Sequence, residues 1–77
     1  MPWELMTCER TLLDEIAEPS SVRLDIAKTY CLALRSSERD KVDWGKVNRA
    51  IIERWSISAL YWIKKKAHSG KCFDGVE

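Results

Sequence analysis

The direction of the apolar side chains changes between residues 55 and 60, and this change constrains the fold more than any other feature of the sequence. Successive residues of an α-helix are rotated by about 100°, so one side of a helix carries four apolar residues, Val47, Ala50, Ile51 and Trp55. On a straight continuation, the next apolar set would point nearly the opposite way: Leu60, Ile63 and Ala67. We therefore predict a bend at residues 56–58, which lets both sets face one core, in preference to a single helix over residues 44–67.

Two further helices are predicted before this pair. The first begins near Pro2 or at Thr7, and Pro19 ends it because a proline disfavours helical geometry at the residue before it. One of the serines at positions 20 and 21 is the predicted N-cap of the second helix, which runs to about Arg35. Its predicted apolar face consists of Val22, Ile26, Ala27, Tyr30, Cys31 and Leu34.

The rest of the chain completes an all-helical prediction. The polar residues 36–41 indicate a loop, Asp43 is a good N-cap for the third helix, and Ser58 is the predicted cap of the fourth. No run of residues shows the period-2 alternation of a strand. We predict an all-α fold, a small bundle of three to four short helices in one domain over residues 1–77, with a flexible tail at about 71–77.

Charge and cysteine usage limit the class of protein. The net charge is +1, with 13 basic and 12 acidic residues, so broad coating of nucleic acid is not expected. Three cysteines without a Cys-x-x-Cys pair favour reduced thiols, and hence the cytoplasm or, in a eukaryote, the nucleus. The first residues lack the pattern of a signal peptide, and no apolar stretch is long enough to span a membrane.

Neither a catalytic centre nor a metal site is expected. The single histidine, His68, has no serine or cysteine near it in a recognisable catalytic arrangement, and there is no glycine-rich phosphate loop. His68 and Cys72 have a spacing found in zinc modules, with Cys8 and Cys31 as the other thiols. Because paired cysteines are missing, we expect no metal. A helical chain of this size has little room for a pocket, so we also expect no cofactor and no small-molecule substrate.

The tryptophans indicate a protein-binding surface. Most of the four are expected in the core, but Trp62 falls on the flank of the fourth helix and Ile52 falls off the main apolar side of the third. Exposed apolar side chains of this size mark interfaces between proteins. We predict that Trp62, Ile52 and Trp3 contact another protein or a second copy of the chain.

Residues 47–66 suggest a different kind of partner. Ser58-Ala59-Leu60-Tyr61, followed by three lysines, resembles the capped recognition helix of a helix-turn-helix module. That resemblance implies a DNA-binding regulatory protein, of the type found in phages or mobile elements. The nucleic-acid contacts would come from the cap, an aromatic residue and the cations of this region: Arg54, Ser58, Tyr61, Lys64, Lys65, Lys66 and His68.

Two functional hypotheses therefore stand. In the first, the chain is a non-catalytic protein-interaction module, such as an adaptor, an inhibitor or a homodimer. In the second, it is a helix-turn-helix-like DNA-binding protein. The near-neutral net charge favours the first, because it gives DNA binding little non-specific affinity.

Overall fold

The structure, a computed structural model that describes residues 8–69, is an all-α bundle. Four α-helices follow one another along the chain: α1 (Cys8–Ala17), α2 (Arg23–Arg35), α3 (Trp44–Arg54) and α4 (Ile57–Ala67). A short 3-10 helix, Arg39–Lys41, lies between α2 and α3 inside the segment predicted as a loop. Over residues 8–69 there is no strand, which confirms the predicted fold class. None of the four helices is long and apolar enough to cross a bilayer.

The turn between α1 and α2 differs from the prediction in its cap. The first helix ends at Ala17, before Pro19, as expected, but the N-cap of α2 is Val22 and makes no side-chain capping bond. Ser20 Oγ instead donates to a Glu18 carboxylate oxygen at 3.3 Å. The prediction of a serine cap is therefore wrong. Val22 is also 53% exposed, so it does not belong to the buried face of α2.

The bend between α3 and α4 is confirmed, with its cap displaced by two residues. Ser56 has extended backbone angles (φ −174°, ψ 170°), and its Oγ accepts a hydrogen bond from the Ala59 backbone N–H at 3.1 Å. Ser58, the predicted cap, lies inside the first turn of α4. Because the backbone is extended at Ser56, the change of direction occurs before α4 begins, and the apolar sides of both helices reach one core.

The core draws on all four helices and on Val42. Its largest fully buried side chains are Leu12, Ile26, Cys31, Val47, Ile51 and Ile63. The main helix contacts are α2 with α4 and α1 with α3, and α1–α2 and α3–α4 also pack together. Trp44 and Trp55 are partly buried against this core.

Polar contacts fix the start of α3. The side chain of Asp43 accepts from the Lys46 N–H at 3.1 Å, which confirms the predicted cap. The Asp43 N–H donates to Glu9 Oε1 at 3.0 Å, and Lys46 Nζ lies 3.8 Å from the same carboxylate. Acidic α1 therefore serves as scaffold for α3. The predicted start of the first helix at Pro2 or Thr7 and the tail at 71–77 lie outside the described residues.

Candidate protein-contact face on helix α4

The outward side of α4 carries a row of large side chains. Leu60, Ile63 and Ala67 are buried, so the positions between them point away from the core. Ile57 is 53% exposed and Tyr61 is 62% exposed. These two residues are four apart and therefore lie one above the other on the same side of the helix. We use the term α4 face for the exposed residues Ile57, Tyr61, Trp62, Lys65 and Lys66.

Trp62 lies at the edge of this face, and two cations contact its ring. The Arg23 Cζ is 5.2 Å from the centre of its ring, and the Lys66 Nζ is 5.7 Å away. Each such contact contributes about 0.5–1 kcal/mol at an exposed site. An open depression of about 390 Å³ adjoins the ring and is lined by Trp62, Lys65, Lys66 and Ser69. The indole is thus held in place while part of it stays accessible.

Arg54, a predicted phosphate contact, is directed onto the turn between α1 and α2. Its Nη1 donates to the carbonyl oxygens of Ile16 and Glu18 at 3.0 and 2.9 Å. Its Nη2 donates to those of Pro19 and Ser21 at 3.0 and 3.3 Å. The guanidinium also lies 4.8 Å from the centre of the Trp55 ring. Since these contacts occupy both ends of the guanidinium, the structure gives Arg54 an internal role that the sequence analysis did not anticipate.

The other predicted nucleic-acid contacts lie along α4. Ser58, Tyr61, Lys65, Lys66 and His68 are exposed, and Lys64 is half-buried. The His68 ring is turned back along the helix, with Nδ1 2.7 Å from the Lys64 carbonyl oxygen. The lysines occupy the last turn of the helix, where cations also offset the helix dipole.

Of the three predicted protein-contact residues, the structure describes Trp62 and Ile52. Trp62 is 36% exposed. Ile52 is half-buried and packs against the core, so little of it is available to a partner. Trp3 lies outside the described residues.

Sequence reasoning did not select Ile57 for any surface, and it selected Tyr61 only as a nucleic-acid contact. Helical periodicity could have indicated that both side chains are exposed, because residues 57 and 61 fall on the side of α4 opposite the apolar set at residues 60, 63 and 67. The contact between Arg23 and Trp62 joins α2 to α4. It could not be predicted from the sequence, because it depends on how the two helices pack.

The cysteines differ from the expectation of reduced thiols. Cys31 is buried and disulfide-bonded, whereas Cys8 is half-buried and free. The thiol argument for the cytoplasm or nucleus therefore does not hold, because disulfides are rare in those compartments. Cys72 lies outside the described residues. Within residues 8–69, no group of three or more His, Cys, Asp or Glu side chains is arranged to hold a metal ion.

A second depression, of about 250 Å³, lies near Cys8, Leu32 and Glu38. Leu32 is 61% exposed at its rim, but no other exposed large apolar side chain lines this depression. The α4 face has three such side chains, in Ile57, Tyr61 and Trp62. It is therefore the stronger candidate for a contact surface.

Comparison with protein-family models, with curated proteins and with solved structures finds no match to this chain. The geometry and chemistry of the α4 face are therefore the basis for a functional proposal.

Proposed function

We propose that this chain is a non-catalytic protein-interaction module whose contact surface is the α4 face. The observation that carries the proposal is the exposure of Ile57 and Tyr61, 53% and 62%, on one side of one helix, with Trp62 beside them. Adjacent exposed apolar and aromatic side chains are typical of protein interfaces, where a few such residues supply most of the binding energy. The packing of Leu60 and Ile63 into the core fixes which side of α4 faces outward.

The chemistry of the face supports a protein partner over DNA. A recognition helix reads bases mainly with polar residues near its N-terminus. On α4, the large side chains of Ile57 and Tyr61 share that part of the helix with Ser58, and Arg54 just before the helix is bonded to backbone carbonyls of the bundle. The net charge of +1 adds little electrostatic attraction to phosphates.

One observation favours the alternative of a helix-turn-helix-like DNA-binding protein. Lys65, Lys66 and His68 are exposed together at the end of α4, two residues or fewer apart along the chain. Such a cluster can contact phosphates. The experiment below distinguishes this alternative from a protein partner.

Site-specific photo-crosslinking tests the proposal. Benzoylphenylalanine replaces Tyr61 in the α4 face or, as a control, exposed Asp40 in the 3-10 helix, and the chain is irradiated in cells of the organism that encodes it. We expect a discrete adduct from position 61, removed by protease but not by nuclease, and absent from position 40. Adding Ile57→Ser should weaken it. A nuclease-sensitive adduct would support the DNA alternative, and equal labelling from both positions would contradict the proposal.

A further inference from the structure

We propose that the partner of the α4 face is an acidic amphipathic segment of another protein, with apolar side chains beside a cluster of carboxylates. This inference rests on the proposed function and specifies the chemistry of the partner. It follows from the order of side chains along the face and from the charges around Trp62.

Within residues 8–69, the cations at the basic end of the face have no acidic partner. Lys65 and Lys66 are exposed on α4, and Arg23 on α2 is drawn to the same place by its contact with Trp62. The helix itself contains no acidic residue. None of these three cations forms an ion pair within residues 8–69. Lys65 and Lys66 line the depression and Arg23 contacts the Trp62 ring, and no carboxylate among residues 8–69 is paired with any of the three, which favours a ligand that supplies negative charge.

The apolar end of the same face favours a peptide over a free anion as the ligand. Ile57 and Tyr61 precede Lys65 at intervals of four residues, so an apolar part and a basic part follow each other on one side of α4. With a rise of 1.5 Å per residue, Ile57 and Lys65 are roughly 12 Å apart along the helix axis. A peptide segment of two to three helical turns matches this length, whereas a free anion would contact only the basic end.

A nucleic acid fits the face less well. Bases bind to proteins without sequence preference by stacking on aromatic rings. The Trp62 ring already has the cations of Arg23 and Lys66 against it, at 5.2 and 5.7 Å from its centre. A stacking base would have to compete with these contacts. The part of the indole that borders the depression suits an apolar side chain from a peptide instead.

A second copy of the chain also fits less well. A two-fold dimer places the same surface of both copies at one interface. An α4 face paired with itself would bring Lys65 and Lys66 of both copies to that interface, and neither face supplies a carboxylate to them. A different protein with an acidic segment avoids this repulsion.

Fluorescence anisotropy with two designed peptides tests the inference. The first is a fluorescein-labelled helical peptide with two leucines four residues apart and four glutamates, and in the second peptide glutamine replaces each glutamate. We expect the glutamate peptide to bind about tenfold more tightly, since several exposed ion pairs of modest strength combine. Lys65→Glu with Lys66→Glu should remove this preference, and the corresponding Lys→Gln pair should reduce it.

The 3-10 helix that follows α2 provides a matched control. Arg39→Glu with Lys41→Glu makes the same charge change at two exposed positions of the 3-10 helix. This variant should bind the glutamate peptide within about twofold of the unmodified chain. Circular dichroism of every variant checks that the helices are retained, because acidic residues in the last turn of α4 oppose the helix dipole.

Several results would overturn the inference. They are equal binding of the two peptides, no binding of either, an equal loss in the control variant, tighter binding of a labelled oligonucleotide, or a concentration-dependent dimer that Lys65→Glu and Lys66→Glu stabilise. The proposed function has its own readout, the crosslink from position 61. If that protein adduct persists in the Lys65→Glu, Lys66→Glu variant, the face still binds a protein but the acidic-segment inference fails.

Discussion

The guanidinium of Arg54 donates to the carbonyl oxygen of Ile16 at 3.0 Å, across 38 residues of sequence. The last carbonyls of a helix have no partner within it and carry partial negative charge. Arg54 bonds to one of these carbonyls in α1, that of Ile16, and also to the carbonyls of Glu18, Pro19 and Ser21 in the following turn. The last residue of α3 thereby fixes the α1–α2 turn and the direction in which α2 begins.

This arrangement predicts that Arg54→Lys is not conservative. A lysine has one compact ammonium group and cannot reproduce two nitrogen atoms that each donate to two carbonyls. We expect the free energy of unfolding to fall by about 2 kcal/mol. This equals the contribution of one charged hydrogen bond rather than of four, because water reaches part of this turn. Urea unfolding followed by circular dichroism measures it.

The control is Arg49→Lys, at an exposed position on the same helix. It should change the free energy of unfolding by less than about 0.5 kcal/mol. Similar losses for the two variants would mean that the four hydrogen bonds of Arg54 contribute nothing specific.

The cap of α4 gives a second prediction, in which two nearby serines behave differently. Ser56→Ala removes the hydrogen bond to the Ala59 N–H and should cost about 1 kcal/mol. Ser58→Ala lies within the helix, where alanine is the better helix former, and should be neutral or slightly stabilising. Thermal or urea unfolding of both variants decides the position of the cap. A larger loss at Ser58 would contradict the extended geometry at Ser56.

The helices and the bend were predictable from the sequence because they depend on local periodicity. The apolar sets at Val47–Trp55 and Leu60–Ala67 have incompatible phases, and a chain without a bend would leave one of them in water. The exact cap was less predictable. Ser56 and Ser58 have the same intrinsic capping preference, and the choice between them depends on how α3 and α4 pack.

The α4 face was only partly predictable, because some of its features depend on how the helices pack. Helical phase alone places Tyr61, Lys65 and Trp62 away from the inner side of α4. The roles of Arg23 and Arg54 depend on contacts between residues far apart in sequence, such as the four carbonyl bonds of Arg54. The sequence alone gives no reason to distinguish these arginines from other surface cations, because periodicity does not predict which helix a long side chain contacts.

A third prediction concerns alkaline pH and the contact between α2 and α3. The Tyr30 hydroxyl donates to Asn48 Oδ1 at 2.7 Å, and burial raises the pKa of Tyr30 above its ordinary value of 10.0. As pH rises past 10.0, the unfolded chain releases the tyrosine proton before the folded chain does. The stability contribution of Tyr30 is thus complete below about pH 10 and is lost as pH rises towards the folded-state pKa.

Tyr30→Phe isolates this effect. At neutral pH it should cost about 1 kcal/mol, since the Asn48 oxygen loses its donor. Urea unfolding of both proteins between about pH 8 and pH 11 should show the difference between them shrinking as pH rises. The comparison removes contributions from other titrating groups, which both proteins share. A difference that stays constant over this range would show that Tyr30 ionises equally in the folded and unfolded chains.

The fourth prediction separates stability from binding on the two sides of α4. Ile63 is fully buried, so Ile63→Ala should lower the free energy of unfolding by about 2–4 kcal/mol. Ile57 and Tyr61 are more than half exposed, and Ile57→Ser or Tyr61→Ser should cost no more than about 0.5 kcal/mol. Ile57→Ser should nevertheless weaken the protein crosslink formed from position 61. If it unfolded the chain as Ile63→Ala does, Ile57 would belong to the core, and the case for a contact surface on α4 would lose its main observation.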